Sequence, residues 1–442
     1  MLNVAILRFQ LLLPLVLFAA LAAGVGLLMA EGSSEWQGLL LVVTGFGTLG
    51  FLLIPRLARM EVRGLLLKIL IWGLLLKLGF AMVRIWLDFD VYGGTADAAR
   101  YINSGTIIAQ HIWRLEFDQL VPYLQRGTDF IEFLTGTIFS VIGPTRIGGY
   151  LVYASFAFLG SYFFYKAFRV AFPQGNKQLY VILIFFFPSI IFWPNGIGKD
   201  ALIFLCIGLS AYGSAILLSQ GRLQGLMVFA LGLLGTMYIR PHVAAILVFA
   251  LILAFLVQGV SRKSFRPVTF VTGLLTIGGL IWFLLPRVTD FLGLQGLSAA
   301  QILGYLEQRQ ELTYLGGSAF EAIDISNPLS IPMAIITVFF RPFPWEANNL
   351  QAVIQSLEGI MLMGVILWRL KSLGKAAVSL ISNAYLLFII IYIIAFVFAF
   401  VSVQNFGLLA RQRTMMFPLF FMLLAYVPFH TRTEGRVPEI AI

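Results

Sequence analysis

Residues 179–219 read LYVILIFFFPSIIFWPNGIGKDALIFLCIGLSAYGSAILLS. Two apolar runs, each close to the length of a membrane-crossing helix, flank the polar turn 193–200. A bilayer core is about 30 Å thick, so a helix needs about 20 predominantly apolar residues to cross it. The stretch therefore predicts two neighbouring membrane helices. Lys199 and Asp200 would lie at the membrane surface, where the second helix begins and its free N–H groups favour anions.

The same apolar pattern recurs along the whole chain. Of its 442 residues, 60% are hydrophobic and only 11% are charged, and the mean hydropathy is +0.93. The apolar runs are continuous rather than alternating, which excludes a β-barrel and favours membrane helices. The sequence predicts an all-α, polytopic integral membrane protein with about twelve crossings, forming one domain over residues 1–442.

The apolar runs differ in length and in the connections between them. The predicted spans are 8–30, 37–55, 64–87, 147–166, 179–194, 200–219, 223–240, 242–260, 267–286, 351–369, 379–402 and 413–428. Two shorter apolar stretches, 128–142 and 330–341, are predicted to be re-entrant or interfacial, with a spanning role as the alternative. Two long connections, 88–146 and 287–350, are predicted as outer segments long enough to carry function.

Lysine and arginine assign the two sides of this topology. More than half of the 30 basic residues, but few of the 20 acidic ones, fall on the side that also holds both termini. By the positive-inside rule this side is cytoplasmic. The net charge of +10 then indicates contact with anionic lipid rather than with nucleic acid. Lys77, near the middle of the third span, is expected to face the protein interior or a cavity, with a carboxylate partner.

Cysteine and histidine give little support for metal chemistry. Cys206 is the only cysteine, and the three histidines are scattered along the chain. Neither a disulfide framework nor a Cys/His metal site is predicted. No cofactor is expected, and a divalent metal stays open as the alternative.

The first outer segment carries an amphipathic helical pattern. Asp97, Arg100 and Tyr101 share one face of a helix, because residues three and four apart are neighbours on its surface. The isoleucines of 102–112 are expected to rest on the bilayer surface. A carboxylate held there is a candidate general base toward a sugar hydroxyl. The structural alternative is that Asp97 only stabilises the first helical turn.

Cations recur on the predicted outer side, where the positive-inside rule disfavours them. They are Lys199, with Asp200 beside it, Arg240, Arg341, Arg411 and Arg413. Glycines before Lys199 let backbone N–H groups approach an anion, and the arginine fork fits the oxygens of a diphosphate. The structural alternative is that these side chains extend to lipid headgroups. Their position on one face predicts an anionic, lipid-linked substrate.

Two further residues are candidates for binding and catalysis. His242 follows Arg240 closely at a predicted outer boundary and is a second candidate base. Trp345, in the stretch RPFPWE over 341–346, offers a flat ring on which a sugar face could stack. Arg341 of the same stretch is a candidate substrate contact, and an ion pair with Glu346 is its structural alternative.

These motifs, in this order, resemble bacterial exopolysaccharide and O-antigen assembly proteins. The resemblance covers roughly residues 88–415. It is carried by Asp97 in its amphipathic helix, FPSIIFWPNGIGKD at 187–200, Arg240-Pro241-His242 and RPFPWE at 341–346. The proteins it points to include polysaccharide polymerases and relatives of the GT-C membrane glycosyltransferases. Many of them carry Lys-Glu where this chain has Lys199-Asp200, which keeps the charge but shortens the side chain.

The resemblance implies sugar transfer at the extracytoplasmic face of a bacterial inner membrane, from a polyprenyl-phosphate or polyprenyl-diphosphate donor. Lys199 and the arginines would stabilise the departing phosphate, and Asp97 would accept the proton. The alternative is His242 as base, with Asp97 orienting it. Implied partners are a polyprenyl-linked sugar or oligosaccharide, membrane lipid and other polysaccharide-assembly proteins. The rival functions are a flippase or transporter of lipid-linked glycans and a non-catalytic subunit of an assembly complex.

Overall fold

A computed structural model describes residues 65–261 and 328–428, together with the short run 35–40 and isolated positions at 29, at 45 and between 271 and 320. The predicted spans 8–30, 37–55 and 267–286, most of the segment 287–327, and both termini lie wholly or largely outside the described residues. Within the described part the chain is helical, and the only β pairing is an isolated bridge between Ala319 and Asn405. The all-α prediction is therefore confirmed for this part of the chain.

The described helices are labelled in chain order. The α-helices are α1 Leu65–Trp86, α2 Asp97–Trp113, α3 Thr128–Ile142, α4 Arg146–Ala171, α5 Lys177–Phe186, α6 Pro188–Phe192, α7 Lys199–Ala215, α8 Gln224–Ile239, α9 Pro241–Ser261, α10 Ile331–Phe340, α11 Leu350–Trp368, α12 Leu370–Val378, α13 Ala384–Phe400, α14 Phe406–Arg413 and α15 Phe417–Leu424. Wider π-helical turns extend α1 over Leu87–Val91 and α7 over Ile216–Gln220. Tighter 3₁₀ turns cover Phe117–Leu124, Trp193–Asn195, Pro328–Ser330 and Pro344–Glu346.

Four of the described helices are long and apolar enough to cross a membrane. They are Lys68–Val91, Arg146–Ala171, Lys199–Gln220 and Leu350–Trp368. The pair α5 and α6, continued to Asn195, adds a fifth span if its two parts cross together. Shorter apolar helices include α8, α10 and α13. Length and composition thus agree with a multi-pass membrane protein, and the count of twelve crossings stays a prediction.

The predicted span 179–194 is bent rather than straight. Its two parts, α5 and α6, meet at an angle of 53°. Pro188 starts α6, and Phe187 before it has extended dihedral angles, φ −70° and ψ 130°. Proline has no N–H and disfavours a helical conformation in the residue before it. The sequence of this span therefore contains the cause of its own break.

Two buried charged side chains form hydrogen bonds with the backbone of α6, the short helix that follows the break. The carboxylate of Glu358, on α11, accepts hydrogen bonds from Ser189 N at 2.7 Å and Ser189 Oγ at 2.5 Å. The ammonium of Lys77, on α1, donates to the carbonyl of Ile190 at 2.8 Å. Lys77 is fully buried, which confirms its predicted interior position. Among the described residues Lys77 has no carboxylate partner, so that prediction is wrong for this part of the chain. The bond goes instead to the Ile190 carbonyl, whose helical donor four residues later would be Pro194, which has no N–H.

Glycines let the backbones of α4, α7 and α8 pack in direct contact. The helices α4 and α7 run side by side, and a Cβ on Gly208 would lie 2.8 Å from the carbonyl oxygen of Gly160. Between α7 and α8, a Cβ on Gly213 would lie 2.2 Å from Phe229 N. In a membrane the hydrophobic effect does not drive helices together. Small residues instead let the backbones approach closely, and van der Waals packing holds the helices in contact. These three helices carry much of the buried apolar core.

Gly213→Leu is expected to separate α7 from α8, because the new side chain would begin inside the backbone of α8. Overpacking of this kind costs about 1–3 kcal/mol or more. The measurement is thermal unfolding of the purified protein in detergent. Gly364→Ala is the matched control. It lies on α11 with open space around it, and the change is expected to stabilise by about 0.5–1 kcal/mol. If Gly213→Leu and the unchanged protein had the same melting temperature, this packing of α7 against α8 would be contradicted.

The helix α2 begins at Asp97, so the predicted amphipathic segment is helical. Part of its apolar face, however, packs against α3, while Ile107 is 48% exposed. Ile108 is fully buried, and a Cβ on Gly136 would lie 2.3 Å from its Cγ2 atom. The stretch 128–142, predicted to be re-entrant or interfacial, is thus the packing partner of α2, and its position in the membrane stays a prediction. The expectation that the isoleucines of 102–112 contact lipid is wrong for Ile108.

The directions of the helices define two opposite ends of the bundle, and different residues meet at each end. At one end, Asn176 N, after α4, donates to Ala425 O at 2.8 Å, and Arg369 Nε donates to Leu424 O at 2.8 Å. Ser372 of α12 donates to Tyr426 O at the same end. The starts of α4 and α7 lie at the other end, where a Cβ on Gly149 would lie 2.7 Å from Ile197 Cδ1.

Candidate functional site

Asp200 is the centre of an ion-pair cluster at the end of the bundle where α7 begins. Its Oδ1 atom lies 3.3 Å from Arg240 Nη2, at the junction of α8 and α9. Its Oδ2 atom accepts a hydrogen bond from Arg411 Nε, on α14. Only 12% of the Asp200 side chain is exposed. Two guanidinium groups from distant parts of the chain therefore hold one buried carboxylate.

The helix α14 contributes two neighbouring side chains to this cluster. Arg240 Nη1 donates to the amide oxygen of Gln412, the residue that follows Arg411. Burial acts to lower the pKa of Arg411. The charge and hydrogen bond of Asp200, together with the charge of Asp97, nevertheless raise this pKa above its ordinary value. Arg411 is thus a permanent cation at this position.

Asp97 and Lys199 complete what we call the Asp200 cluster: Asp97, Lys199, Asp200, Arg240 and Arg411. Asp97 Oδ2 lies 3.6 Å from Arg411 Nη1, and 66% of its side chain is exposed. Lys199 Nζ donates to the hydroxyl of Thr128, at the start of α3, at 2.8 Å. The other four charges of the cluster all act on the Lys199 ammonium. Three cations against two carboxylates leave one surplus positive charge.

The two other candidate residues of α2, Arg100 and Tyr101, contact different neighbours. Tyr101 is buried, and a Cβ on Gly198 would lie 3.4 Å from its ring. Burial and the charge of Asp97 raise the pKa of Tyr101, so its phenol stays neutral. Arg100 Nε donates to Glu132 Oε1 on α3 at 2.6 Å, and this bond raises the pKa of Arg100. Tyr101 therefore packs beneath the turn before Lys199, whereas Arg100 ties α2 to α3.

Arg341 and Arg413 form a second, separate group. Arg341 pairs with Glu346 through two atoms, with Nε 2.9 Å and Nη2 2.5 Å from Oε1. Its guanidinium also lies 4.3 Å from the ring centroid of Phe320. Arg413 is buried and donates to the backbone carbonyl of Arg341. The ion pair weighed as the structural alternative for Arg341 is thus present, and Arg413 holds the loop that carries it.

Trp345 and His242 lie in contrasting surroundings. Trp345 is 81% exposed and stacks on Phe343, with ring centroids 4.9 Å apart. The His242 ring packs near Phe400 of α13, with centroids 5.7 Å apart. Trp345 is accessible to a ligand, whereas His242 takes part in the contact between α9 and α13.

The structure adds a buried polar group that the sequence predictions do not include. Asp88 is buried and accepts hydrogen bonds from Tyr150 Oη at 2.6 Å and Arg84 Nη2 at 3.2 Å. The Arg84 guanidinium lies 4.9 Å from the ring centroid of Phe192, at the end of α6. Arg84 and Asp88 are four residues apart, a helical spacing that the sequence displays. For Thr128 and Gln412, which bind the Asp200 cluster, no sequence signal exists.

The described residues contain no group of three or more His, Cys, Asp or Glu side chains that could hold a metal ion. The expectation that the site works without a metal or cofactor stays a prediction. If a cation entered the Asp200 cluster it would meet three positive side chains. The chemistry of this donor set therefore favours an anion.

Comparison with known proteins finds no match: no family model, curated protein or solved structure matches the chain. The resemblance described above thus depends on its short motifs alone. What the protein does is argued below from the geometry of the Asp200 cluster.

Proposed function

We propose that the protein is a membrane glycosyltransferase or polysaccharide polymerase that uses a polyprenyl-phosphate-linked or polyprenyl-diphosphate-linked sugar donor. The observation that carries this proposal is the Asp200 cluster. Its three cations meet at one end of an apolar bundle, beside an exposed carboxylate. A lipid-linked donor has a phosphate at the membrane surface, and this is the chemistry that clustered arginine and lysine recognise.

The two carboxylates of the cluster have different exposure, and this separates their roles. Asp200 is held between Arg240 and Arg411 and orients them. Asp97 touches only the edge of the cluster and is 66% exposed, so an acceptor sugar can reach it. We assign Asp97 as the general base. Asp200 is a positioning residue.

The proposed transfer is balanced in bonds and protons. The acceptor hydroxyl oxygen forms a bond to the anomeric carbon of the donor sugar, and Asp97 takes the hydroxyl proton. The bond between that carbon and the phosphate oxygen breaks, and its electron pair leaves with the phosphate. Lys199, Arg240 and Arg411 stabilise the negative charge that develops there, the same kind of preorganised electrostatic stabilisation as an oxyanion hole.

The proposal includes a membrane orientation. Lys371 and Lys375 belong to α12, whose Ser372 binds Tyr426 O at the end opposite the Asp200 cluster, and basic loops favour the cytoplasmic side. The cluster is accordingly assigned to the extracytoplasmic face of a bacterial inner membrane, with both termini cytoplasmic. Partners in this proposal are the lipid-linked glycan, membrane lipid and other polysaccharide-assembly proteins.

Binding of polyprenyl phosphate to the full-length protein in lipid nanodiscs tests the anion site. Lys199→Gln is expected to weaken binding about 10-fold or more, because a hydrogen bond to a charged group is worth about 1.5–3 kcal/mol. Glutamine keeps a polar contact with Thr128 while removing the charge. Lys375→Gln, an exposed charge at the opposite end, is the matched control and is expected to bind as the unchanged protein does.

Cells provide the second arm of this test. Loss of transfer predicts accumulation of lipid-linked intermediates in strains that carry the Lys199→Gln or Arg240→Gln variant at normal protein levels. Normal glycan output from both variants, with unchanged polyprenyl phosphate binding, would refute the proposed function.

A second function, transport of lipid-linked glycans, is favoured by a different observation. The span α5–α6 is broken, and Lys77, Glu358 and Arg413 are buried around it. Broken helices and buried charges at membrane depth are features of transporters. Vesicle assays separate the two functions, since a transporter moves the lipid-linked glycan across the bilayer without forming a glycosidic bond.

A further inference from the structure

We infer that residues 113–124 form a segment inserted into one leaflet of the bilayer, beside the Asp200 cluster. The segment joins α2 to α3 and exposes a run of apolar side chains: Trp113, Leu115, Phe117, Val121 and Leu124. Leu115 is 72% and Val121 is 63% exposed. Contiguous exposed apolar patches of this kind mark surfaces that bind a partner or a membrane.

The segment has a fixed shape, which distinguishes it from an ordinary connection. Residues Phe117–Leu124 form a 3₁₀ helix anchored by the buried side chain of Leu120. Trp113 Nε1 donates to the carbonyl of Ser140 on α3 at 2.9 Å, which orients its indole ring. Anchored in this way, the apolar side chains stay on the outside.

The occupant we assign to this surface is the lipid bilayer, because the segment continues an apolar stripe along α8. The stripe consists of the exposed residues Met227, Leu231, Leu234 and Tyr238. At its end, Gly127 N donates to Tyr238 O at 2.8 Å, and Phe130 packs on the Tyr238 ring at 5.3 Å. The exposed surface therefore passes from α8 directly to the chain that follows the segment.

The length of α8 explains why such a continuation is needed. The helix has 16 residues and is about 24 Å long at a rise of 1.5 Å per residue. The hydrocarbon core is about 30 Å thick, so α8 alone ends before the core does. An apolar segment placed beyond Tyr238 covers the remaining depth and shields the polar backbone at the helix end.

The charges of the segment indicate what kind of lipid contact it makes. Residues 113–126 contain Arg114 and Arg126 together with Glu116 and Asp118. Two cations and two carboxylates leave no net charge, so anionic headgroups have no special attraction for it. Insertion should follow the buried apolar area alone.

The position of the segment also matters for the rest of the molecule. It ends just before Thr128, whose hydroxyl accepts the hydrogen bond from Lys199. A segment fixed in the leaflet therefore sets the height of the Asp200 cluster relative to the bilayer surface. This inference does not depend on the proposed enzymatic function, because it requires only that the bundle lies in a membrane.

Site-directed fluorescence measures the insertion. A polarity-sensitive fluorophore is attached to Leu115→Cys or Val121→Cys in the full-length protein, reconstituted in phosphatidylcholine vesicles. The native Cys206 is buried, so the unsubstituted protein reports background labelling. We expect blue-shifted emission from both sites and quenching by spin-labelled lipid chains. Asn103→Cys, an exposed polar position on α2, is the control and should emit as in water.

Three outcomes would overturn the inference. Emission from positions 115 and 121 that matches position 103 would show that water covers the segment. Blue-shifted emission without quenching by lipid would show that protein covers it, from this chain or a second copy. Insertion that appears only when phosphatidylglycerol is added would show that charge, rather than apolar area, drives the contact. Two independent label sites keep the test decisive if one variant fails to fold.

Discussion

Replacing Asp97 by asparagine is expected to slow sugar transfer by about 100- to 10,000-fold, the usual contribution of a general base. Binding of polyprenyl phosphate is expected to stay the same or to become tighter. Asp97 lies 3.6 Å from Arg411 Nη1, so removing its charge raises the surplus positive charge of the cluster. A fall in turnover without a loss of donor binding is the result that identifies a base. Initial rates and binding constants are measured on the same reconstituted samples.

Two controls separate this result from simpler explanations. Asp129→Asn removes a carboxylate from the first turn of α3 at the same end of the bundle, and turnover should change little. His242→Gln tests the alternative base, whose ring packs near Phe400, and transfer should again persist. If Asp97→Asn transfers sugar at the normal rate, Asp97 only stabilises the start of α2. If His242→Gln abolishes transfer while folding normally, the base is His242.

The sequence predicts the helices well where composition alone decides them. The observed helices α4 and α7 begin within one residue of their predicted spans, at Arg146 and Lys199. The sequence does not predict which helices pack against each other. The run 128–142 has the composition of a re-entrant or interfacial piece, but that composition does not indicate that it packs against α2 through close glycine contacts. Such contacts join residues that a linear pattern cannot connect.

The candidate site shows the same limit. Charge placement predicts cations at one membrane face, and Lys199, Arg240 and Arg411 do lie together around Asp200. The same rule groups Arg341 and Arg413 with them, although the structure pairs these two with loop and buried groups. In the sequence, each of these five cations appears equally suited to bind an anionic ligand at the outer face. The packing of α14 determines which cation pairs with which carboxylate. Local composition does not predict this packing.

Glu358→Ala is expected to lower the free energy of unfolding by about 3–5 kcal/mol, the cost of breaking a buried charge network from one side. The carboxylate accepts two hydrogen bonds from Ser189 at the start of α6. Its charge also acts on the buried guanidinium of Arg413. Alanine would leave the buried N–H and hydroxyl of Ser189 without this acceptor, and the buried Arg413 without this negative charge. Unfolding of the purified protein by heat or by denaturing detergent provides the measurement.

Two further variants test whether the lost hydrogen bonds at the broken helix cause the loss of stability in Glu358→Ala. Glu358→Gln keeps an acceptor for Ser189 but removes the charge, so its loss of stability should be smaller than that of Glu358→Ala. Glu116→Ala removes a more exposed carboxylate 2.7 Å from His111, and exposed pairs contribute only about 0–1 kcal/mol. A cost for Glu358→Ala no larger than for Glu116→Ala would mean that water or another donor already satisfies the break. Otherwise the bend at Pro188, and with it the turn that presents Lys199, depends on a carboxylate nearly 170 residues away in the chain.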